Sequence, residues 1–351
     1  MNSRAVFYAL VSAILFGIST PAAKVLLDSI HPVILAGLLY CGAGAGVALL
    51  RAVPWGPLNS KTAPQASLSK SELPWLAGGI LAGGVVGPVL LLVGLAQTSV
   101  STASLLLTLE GLATALMAWF IFHEGFDRRI ALGMLFLVVG ALVLAWSGSP
   151  TFEGLIGPAA IVGACIAWGL DNNLTRKVSL ADPLQIVAAK GLVAGPVNLL
   201  LGLWAGGALP NPLSALSAAA VGFLCYGVSL IFFVLALRQL GTARTAAYFS
   251  VAPFFGAAVA IAVLNEPVTG QLMVAGVLMA LGVWLHVTER HEHEHVHDPQ
   301  AQSHPHVHDE IHQHSHGPND PLDEPHTHLH VHESLKHSHQ HTPDMHHQHR
   351  H

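Results

Sequence analysis

The sequence predicts an all-α membrane protein with ten transmembrane helices, built as two inverted five-helix repeats and followed by a disordered tail. Two observations support this fold class: an apolar composition and an internal duplication. With 52% hydrophobic and 10% charged residues and a mean hydropathy of +0.55, the 351-residue chain is far more apolar than a soluble domain. Because a spanning helix needs about 20 mostly apolar residues, we predict spans at roughly 5–27, 32–53, 74–96, 101–122, 128–147, 156–178, 183–205, 213–236, 243–264 and 269–288.

The duplication relates residues 94–144 to residues 236–285. Three identities mark the alignment: Gln97 with Gln239, Glu124 with Glu266, and Gly140 with Gly282. Upstream, the segment FGISTPAAK ending at Lys24 aligns with WGLDNNLTR ending at Arg176. Each copy has an odd number of spans, so the second copy enters the membrane from the opposite side. The predicted units are therefore residues 1–147, residues 148–290 and a tail of residues 291–351.

Lysine and arginine residues predict the orientation of the helices. With the N-terminus inside, nearly all span-end cations fall on the cytoplasmic side, whereas Lys24 falls at an outer end. Both termini are therefore expected in the cytoplasm of a protein in the cytoplasmic membrane. The first span, an apolar run after Arg4, also has features of a signal peptide. Its alignment with the sixth span favours retention.

Two charged residues lie inside predicted spans. Glu110 is about nine residues into the fourth span and thus roughly 13 Å deep in a hydrocarbon core of ~30 Å. Such a carboxylate costs about 2.5 kcal/mol or more and marks an ion, proton or substrate path, unless it locks helices together. Lys190 is predicted at a similar level in the seventh span. It either pairs with Glu110 across a central cavity or snorkels to the cytoplasmic interface.

Further polar residues interrupt the apolar spans. Asp171, Asn172 and Asn173 form a patch beside Trp168 near the inner end of the sixth span. This patch either lines the transport path or joins neighbouring helices. Trp168, Tyr226 and Tyr248 are large side chains with a polar tip, suited to packing and, as the second option, to cavity lining.

The third span is rich in glycine, and Pro88 follows these glycines. Small residues at this spacing allow close approach of helices in lipid, and a proline permits a bend. We interpret this span first as a site of tight packing between helices. The second interpretation is a hinge in a moving bundle of helices.

The tail has a different composition, with 21 of the 24 histidines, ten acidic residues and two basic ones. Such a polar segment cannot bury enough apolar surface to fold alone. In an extended chain the His-x-His spacing is about 7 Å, which allows two imidazoles to share one ion, and imidazole suits Zn, Ni and Co. We predict multi-site metal binding that weakens below about pH 6, although a pH-responsive regulatory tail would have the same composition. The predicted ligands are His291, His293, His295, His297, His304, His306, His308, His312, His314, His316, His326, His328, His330, His332, His337, His339 and His341.

No catalytic constellation, phosphate loop or nucleic-acid patch is found in the sequence. We therefore predict no enzymatic activity, no required cofactor and no nucleic-acid partner. The expected partners are the lipid bilayer, a small-molecule or ion substrate, and protons.

The ends of the two repeats resemble the EamA-domain type of the drug/metabolite transporter superfamily. The resemblance rests on residues 103–124 and 237–267, on the ten spans, and on the pairs Phe16-Gly17 and Trp168-Gly169. It covers about residues 5–288. The resemblance implies a ten-helix carrier of small metabolites whose central cavity opens alternately to each side of the membrane. The tail lies outside this resemblance and is similar to tails of nickel, cobalt and zinc transport proteins.

The sequence thus favours a secondary carrier that exports a small metabolite by proton exchange, with Glu110 as the protonatable group. Lys190 is then its partner or an anion-binding residue. Two alternatives remain: a transition-metal transporter, and a non-transporting membrane protein that buffers or senses metal.

Overall fold

The computed structural model describes residues 3–52, 72–122, 128–146, 152–176, 178, 182–240, 245, 248–287, 292–296, 300–306, 326–332 and 336–340. These residues form two compact units, one of helices and one of strands in the tail. The first half contains α1 (Ser3–Leu27), α2 (Pro32–Ala52), α3 (Leu73–Gly79), the π-helical segment π1 (Ile80–Val86), α4 (Gly87–Ala96), α5 (Val100–Leu106), α6 (Leu109–Phe122) and α7 (Arg128–Ala145). The second half contains α8 (Phe152–Arg176), α9 (Pro183–Trp204), α10 (Pro212–Val221), π2 (Gly222–Val228), α11 (Ser229–Leu240), α12 (Ala252–Val263) and α13 (Gly270–Val287).

Among the described residues, seven helices are long and apolar enough to cross a membrane, and three more are apolar but shorter. The shorter helices are Ala131–Ala145, Ala252–Val263 and Gly270–Leu285, which lie in the predicted fifth, ninth and tenth spans. The ninth is short because the helix restarts at Ala252, after a turn at residues 250–251. The chain is therefore a multi-pass membrane protein.

Helix packing in the first unit relates the two halves. Helix α4 packs on α8 as α11 packs on α1, and α6 packs on α8 as α12 packs on α1. The pairs α2 with α9 and α7 with α13 join equivalent helices of the two halves. Exchanging the halves therefore reproduces these helix pairs.

Two aligned glycines show this equivalence at the level of atoms. A Cβ on Gly17 would lie 2.4 Å from the carbonyl oxygen of Ala252 in α12. A Cβ on Gly169 would lie 2.9 Å from the backbone nitrogen of Thr114 in α6. Only glycine permits approaches this close. Helix α1 therefore packs on α12 in the same way as α8 packs on α6.

The packing interpretation of the glycines in the third span agrees with the observed contacts, and glycines of α2 pack in the same way. Gly44 in α2 faces Gly191 in α9, and a Cβ on either one would lie within 2.6 Å of the other backbone. In π1, Gly84 contacts Ala194 of α9. Small residues thus bring α9 against both α2 and π1.

Glu266, aligned with Glu124, caps a helix of the opposite half. Its carboxylate accepts the N–H of Val100 at 2.6 Å and that of Ser101 at 2.8 Å, at the first turn of α5. Glu266 therefore caps α5 of the first half. Glu124 lies outside the described residues.

The described residues of the second unit are strands β1 (Glu292–Val296), β2 (Gln300–His306), β3 (His326–His332) and β4 (Lys336–Gln340). Strand β1 pairs antiparallel with β4, and β2 pairs antiparallel with β3. These strands cover parts of the tail, whose disorder stays a prediction. The alternating His-x-His pattern has the period of a strand.

Candidate functional site

Each half of the membrane unit contains one π-helical segment and one interrupted helix. The segments π1 and π2 occupy aligned positions of the two halves. The turn at residues 107–108 separates α5 from α6, and the turn at residues 250–251 precedes α12. Irregular backbone at membrane depth is typical of places where protein lines a path, because its freed polar groups need partners.

Pro88 accounts for the polar contacts around π1. Residue 88 would donate its N–H to the carbonyl of Gly84 in an α-helix or of Gly83 in a π-helix, but proline has no N–H. Three side chains from other helices donate instead. Tyr40 Oη and Trp168 Nε1 donate to the Gly83 carbonyl at 2.7 and 2.9 Å, and Asn198 Nδ2 donates to the Gly84 carbonyl at 2.9 Å. Helices α2, α8 and α9 therefore converge on one bend.

Lys190 forms an ion pair with Asp171. Its Nζ lies 2.5 Å from Asp171 Oδ1 and 2.8 Å from Thr175 Oγ1, and the side chains of Lys190 and Asp171 are 16% and 11% exposed. The prediction that Lys190 pairs with Glu110 is therefore wrong in this structure. Thr175 Oγ1 also donates to Asp171 Oδ1 at 2.8 Å. Snorkelling toward the interface is likewise not observed, since the ammonium is held by Asp171.

Gly83 makes room for Asp171. A Cβ on Gly83 would lie 1.9 Å from Asp171 Oδ2, and a Cβ on Gly79 would lie 2.7 Å from Asp171 Oδ1. The carboxylate of α8 therefore fits into a groove of the third span. Because Trp168 of the same helix donates to Gly83, α8 is joined to π1 at two levels.

Glu110 has a different and electrically neutral set of partners. It lies in the first turn of α6, just after the break, and is half-buried. Asn172 Nδ2 donates to Glu110 Oε1 and to Thr114 Oγ1, each at 3.1 Å. The Thr114 hydroxyl donates to the Glu110 backbone carbonyl at 2.9 Å.

The three residues of the polar patch thus have three different surroundings. Asp171 faces π1 and α9, and Asn172 is exposed and faces α6. Asn173 is buried and donates to the carbonyls of Gly169 at 2.8 Å and Thr114 at 3.1 Å. Asn173 therefore joins α8 to α6.

In the other half, the region that aligns with the surroundings of Trp168 and Glu110 consists of aromatic side chains. Phe16 contacts Tyr226 and Phe249, with ring centroids 5.8 and 5.3 Å apart. Tyr226 also contacts Tyr40, at 6.0 Å, which connects this aromatic group to the Gly83 contacts. Among the described residues, no hydrogen bond or ring contact involves the predicted Tyr248; its neighbour Phe249 makes the contacts.

The tail residues are placed only by their strand register. His293 lies opposite His339, His295 opposite His337, His304 opposite His328, and His306 opposite His326. His330 and His332 lie opposite Gln302 and Gln300. In the part of the chain that the structure describes, no group of three or more histidine, cysteine, aspartate or glutamate residues forms a metal-binding cluster. The other predicted ligands lie outside the described residues: His291, His297, His308, His312, His314, His316 and His341.

Four contributors to this site were not among the predicted site residues: Tyr40, Thr114, Thr175 and Asn198. Tyr40 and Asn198 had a detectable signal, because each places a polar group within an apolar span. The two threonines had little signal, since threonine is common in helices as a neighbour of its own backbone.

An ion pair, a carboxylate with neutral partners and irregular backbone within apolar helices define a class of protein, the multi-pass membrane transporters. The chain belongs to the EamA-like transporter family, whose model matches it twice, at residues 3–146 and 155–288. The resemblance to drug/metabolite transporters of the EamA type is thereby confirmed. This is a family of transporters and not of enzymes.

Named relatives agree with this class. The chain is 30% identical over 289 residues to an "uncharacterized transporter" of Methanothermobacter thermautotrophicus, covering 79% of this chain and 84% of that protein. It is 24% identical to a "probable amino-acid metabolite efflux pump" of Salmonella typhimurium, covering 82% of this chain and 96% of that protein. A solved crystal structure with 18% identity has a TM-score of 0.58 and covers 80% of this chain and 94% of that chain. At this identity, the structural likeness concerns the fold alone.

Proposed function

We propose that this chain is a ten-helix carrier that exports a small metabolite across the cytoplasmic membrane in exchange for protons. The observation that carries the proposal is the surroundings of Glu110. This carboxylate lies beside a helix break in the membrane unit and is bonded to the neutral side chain of Asn172. A carboxylate without a cationic partner in such a place binds and releases a proton at low structural cost, because no ion pair has to be broken.

The packing of the helices supports alternating access. Five spans in each half would give the copies opposite topologies, and exchange of the halves reproduces the observed helix pairs. The lysine and arginine distribution favours cytoplasmic termini. The segments π1 and π2 then lie at matching places in two repeats that rock against each other.

The experiment starts from the substrate, which a growth-sensitivity screen of a deletion strain against metabolites and metals would identify. Flux of that substrate and of protons is then measured in proteoliposomes under an imposed pH gradient. We expect Glu110→Gln to abolish proton-coupled flux, because glutamine cannot be protonated. Glu110→Asp should retain coupling with a shifted pH dependence.

Glu266→Gln is the matched control, since this carboxylate caps α5 and has no predicted part in coupling. The control should transport with unchanged coupling. Full retention of proton coupling in the Glu110→Gln variant would refute the assignment.

A second candidate function concerns the tail, which we propose binds divalent Zn, Ni or Co on the cytoplasmic side. The register places histidines opposite one another at four positions. Directly opposed residues of an antiparallel pair have Cβ atoms about 4.5–5.5 Å apart, a separation at which two imidazoles can share an ion. The metal is then a regulator of the carrier, its cargo, or an ion buffered or sensed by a non-transporting protein.

Calorimetric titration of the full chain and of a variant lacking residues 291–351 separates these possibilities. We expect several ions to bind to the full chain at neutral pH, binding to weaken below about pH 6, and the truncated variant to lose it. Flux of the metal in proteoliposomes would show that the ion is the transported substrate. Metal binding without flux of any solute would favour the sensor.

A further inference from the structure

The surroundings of Glu110 contain more hydrogen-bond acceptors than donors. Asn172 divides its amide donors between Glu110 Oε1 and Thr114 Oγ1. The Thr114 hydroxyl hydrogen is engaged with the Glu110 backbone carbonyl, so it is not available to the carboxylate. A carboxylate has about four acceptor positions. The side-chain contact with Asn172 supplies a donor for one of them.

The helix break adds another acceptor nearby. In a continuous helix the N–H of Glu110 would donate to the carbonyl of Leu106, but here it donates to Leu107 at 3.1 Å. The Leu106 carbonyl instead accepts the Cys165 thiol at 3.6 Å, which is a weak contact. Leu106 precedes Glu110 by four residues, which is about one helical turn. A carbonyl with spare acceptor capacity therefore lies in the neighbourhood of the carboxylate.

Lys190 does not supply the missing positive charge. Its ammonium is bound to Asp171 and Thr175, so that pair is neutral as a unit. With all three groups ionised, the region of Glu110, Asp171 and Lys190 carries one net negative charge. This charge resides on Glu110.

The side of α6 next to Glu110 is accessible. Gly111 is exposed, and a Cβ placed on it would meet no atom within 4 Å. Asn172 is exposed as well. An exposed amide oxygen that faced lipid would have no partner, at a cost of about 1–2 kcal/mol or more, so this side is better suited to an aqueous path.

We propose that the space beside Glu110 binds a small organic cation, a protonated amine, which takes the place of the proton on this carboxylate. The inference rests on the proposed function and specifies the substrate class of the same site. An ammonium group brings one positive charge and several N–H donors, both of which the surroundings of Glu110 lack. An anionic substrate would have to displace Asp171 from Lys190, so anions are disfavoured.

The test uses purified full-length protein in detergent micelles and three probes with a shared ring: phenethylammonium, phenylacetate and phenylethanol. Calorimetry in two buffers of different ionisation enthalpy gives the affinity and the number of protons released. We expect phenethylammonium to bind with release of up to one proton, and the other two probes to bind more weakly. Glu110→Gln should weaken amine binding by about 10- to 100-fold, the value of one hydrogen bond to a charged group.

Glu266→Gln serves as the control and should bind the amine as the wild type does. Glu110→Asp should retain part of the affinity, which guards against a folding defect in the glutamine variant. The proposal is overturned if phenethylammonium does not bind, if it binds equally well to the Glu110→Gln variant, or if phenylacetate binds more tightly. Sodium chloride is an additional probe. Binding of Na⁺ that depends on Glu110, without binding of the amine, would refute the amine and indicate an inorganic coupling ion at this site.

The outcomes for the substrate class and for the proposed function can be separated. Proton-coupled flux of a neutral or anionic solute that depends on Glu110, with no amine binding, leaves the carrier function intact and refutes the amine. Amine binding that depends on Glu110, with no flux of any solute, supports the amine and refutes the carrier function.

Discussion

Replacing Lys190 by methionine tests the ion pair that the structure places against the third span. Methionine keeps the length of the side chain but leaves Asp171 charged in a region where its side chain is 11% exposed. Gly79 and Gly83 confine this carboxylate to their groove, so it cannot easily turn toward water. Removing one partner of a buried pair costs about 3–5 kcal/mol. This loss corresponds to a shift of roughly two to four orders of magnitude in the unfolding equilibrium.

The assay is reversible unfolding in mixed micelles with sodium dodecyl sulfate, followed by tryptophan fluorescence. Lys190→Met should lower the free energy of unfolding by about 3–5 kcal/mol. Lys190→Met combined with Asp171→Asn should recover most of this stability, because no uncompensated charge remains. Thr175→Val, which removes both hydrogen bonds between this hydroxyl and the pair, should cost about 1–3 kcal/mol. A loss below about 1 kcal/mol in Lys190→Met, or a double variant no more stable than the single one, would refute this reasoning.

Three further substitutions test neighbouring contacts by the same unfolding assay. Gly83→Ala places a Cβ 1.9 Å from Asp171 Oδ2 and should cost about 1–3 kcal/mol through overpacking; wild-type stability would show that the groove is wider than described. Asn198→Ala leaves the Gly84 carbonyl without its side-chain donor and should cost about 1–3 kcal/mol; a neutral result would mean that the carbonyl has another partner. Glu266→Ala removes the cap of α5 and should cost about 1 kcal/mol; a larger loss would indicate a further role for this carboxylate.

The sequence offers a basis for predicting levels within the membrane but none for predicting directions around a helix. Glu110 and Lys190 were expected to meet because both lie at similar depth, but each contacts a different side of α8. Successive helical residues differ in direction by about 100°, so Asp171 faces Lys190 while Asn172 faces Glu110. A single sequence gives the depth of a span by counting, whereas the rotation of a span depends on its neighbours.

The bend in the third span illustrates the same limit. Pro88 marked the place where the helix would lose backbone hydrogen bonds. The replacement donors come from Tyr40, Trp168 and Asn198, which lie on three other helices. Their convergence is a property of the tertiary structure, and no local pattern contains it.

The two halves keep their packing and differ in their chemistry, which bears on how a substrate is held. Gly17 and Gly169 make equivalent close contacts, yet the residue aligned with Glu110 is Ala252 and the residue aligned with Asp171 is Ser19. Symmetric packing allows the halves to exchange conformations, as alternating access requires. Asymmetric chemistry favours a substrate with its charged group beside Glu110 and its apolar part toward the aromatic side chains of Phe16 and Tyr226. Ala252 is buried and its backbone packs on Gly17, so this position has no room for an acid. Ala252→Glu should therefore destabilise the protein by about 1–3 kcal/mol or more in the unfolding assay, and wild-type stability would show that the packing of α12 on α1 is looser than described.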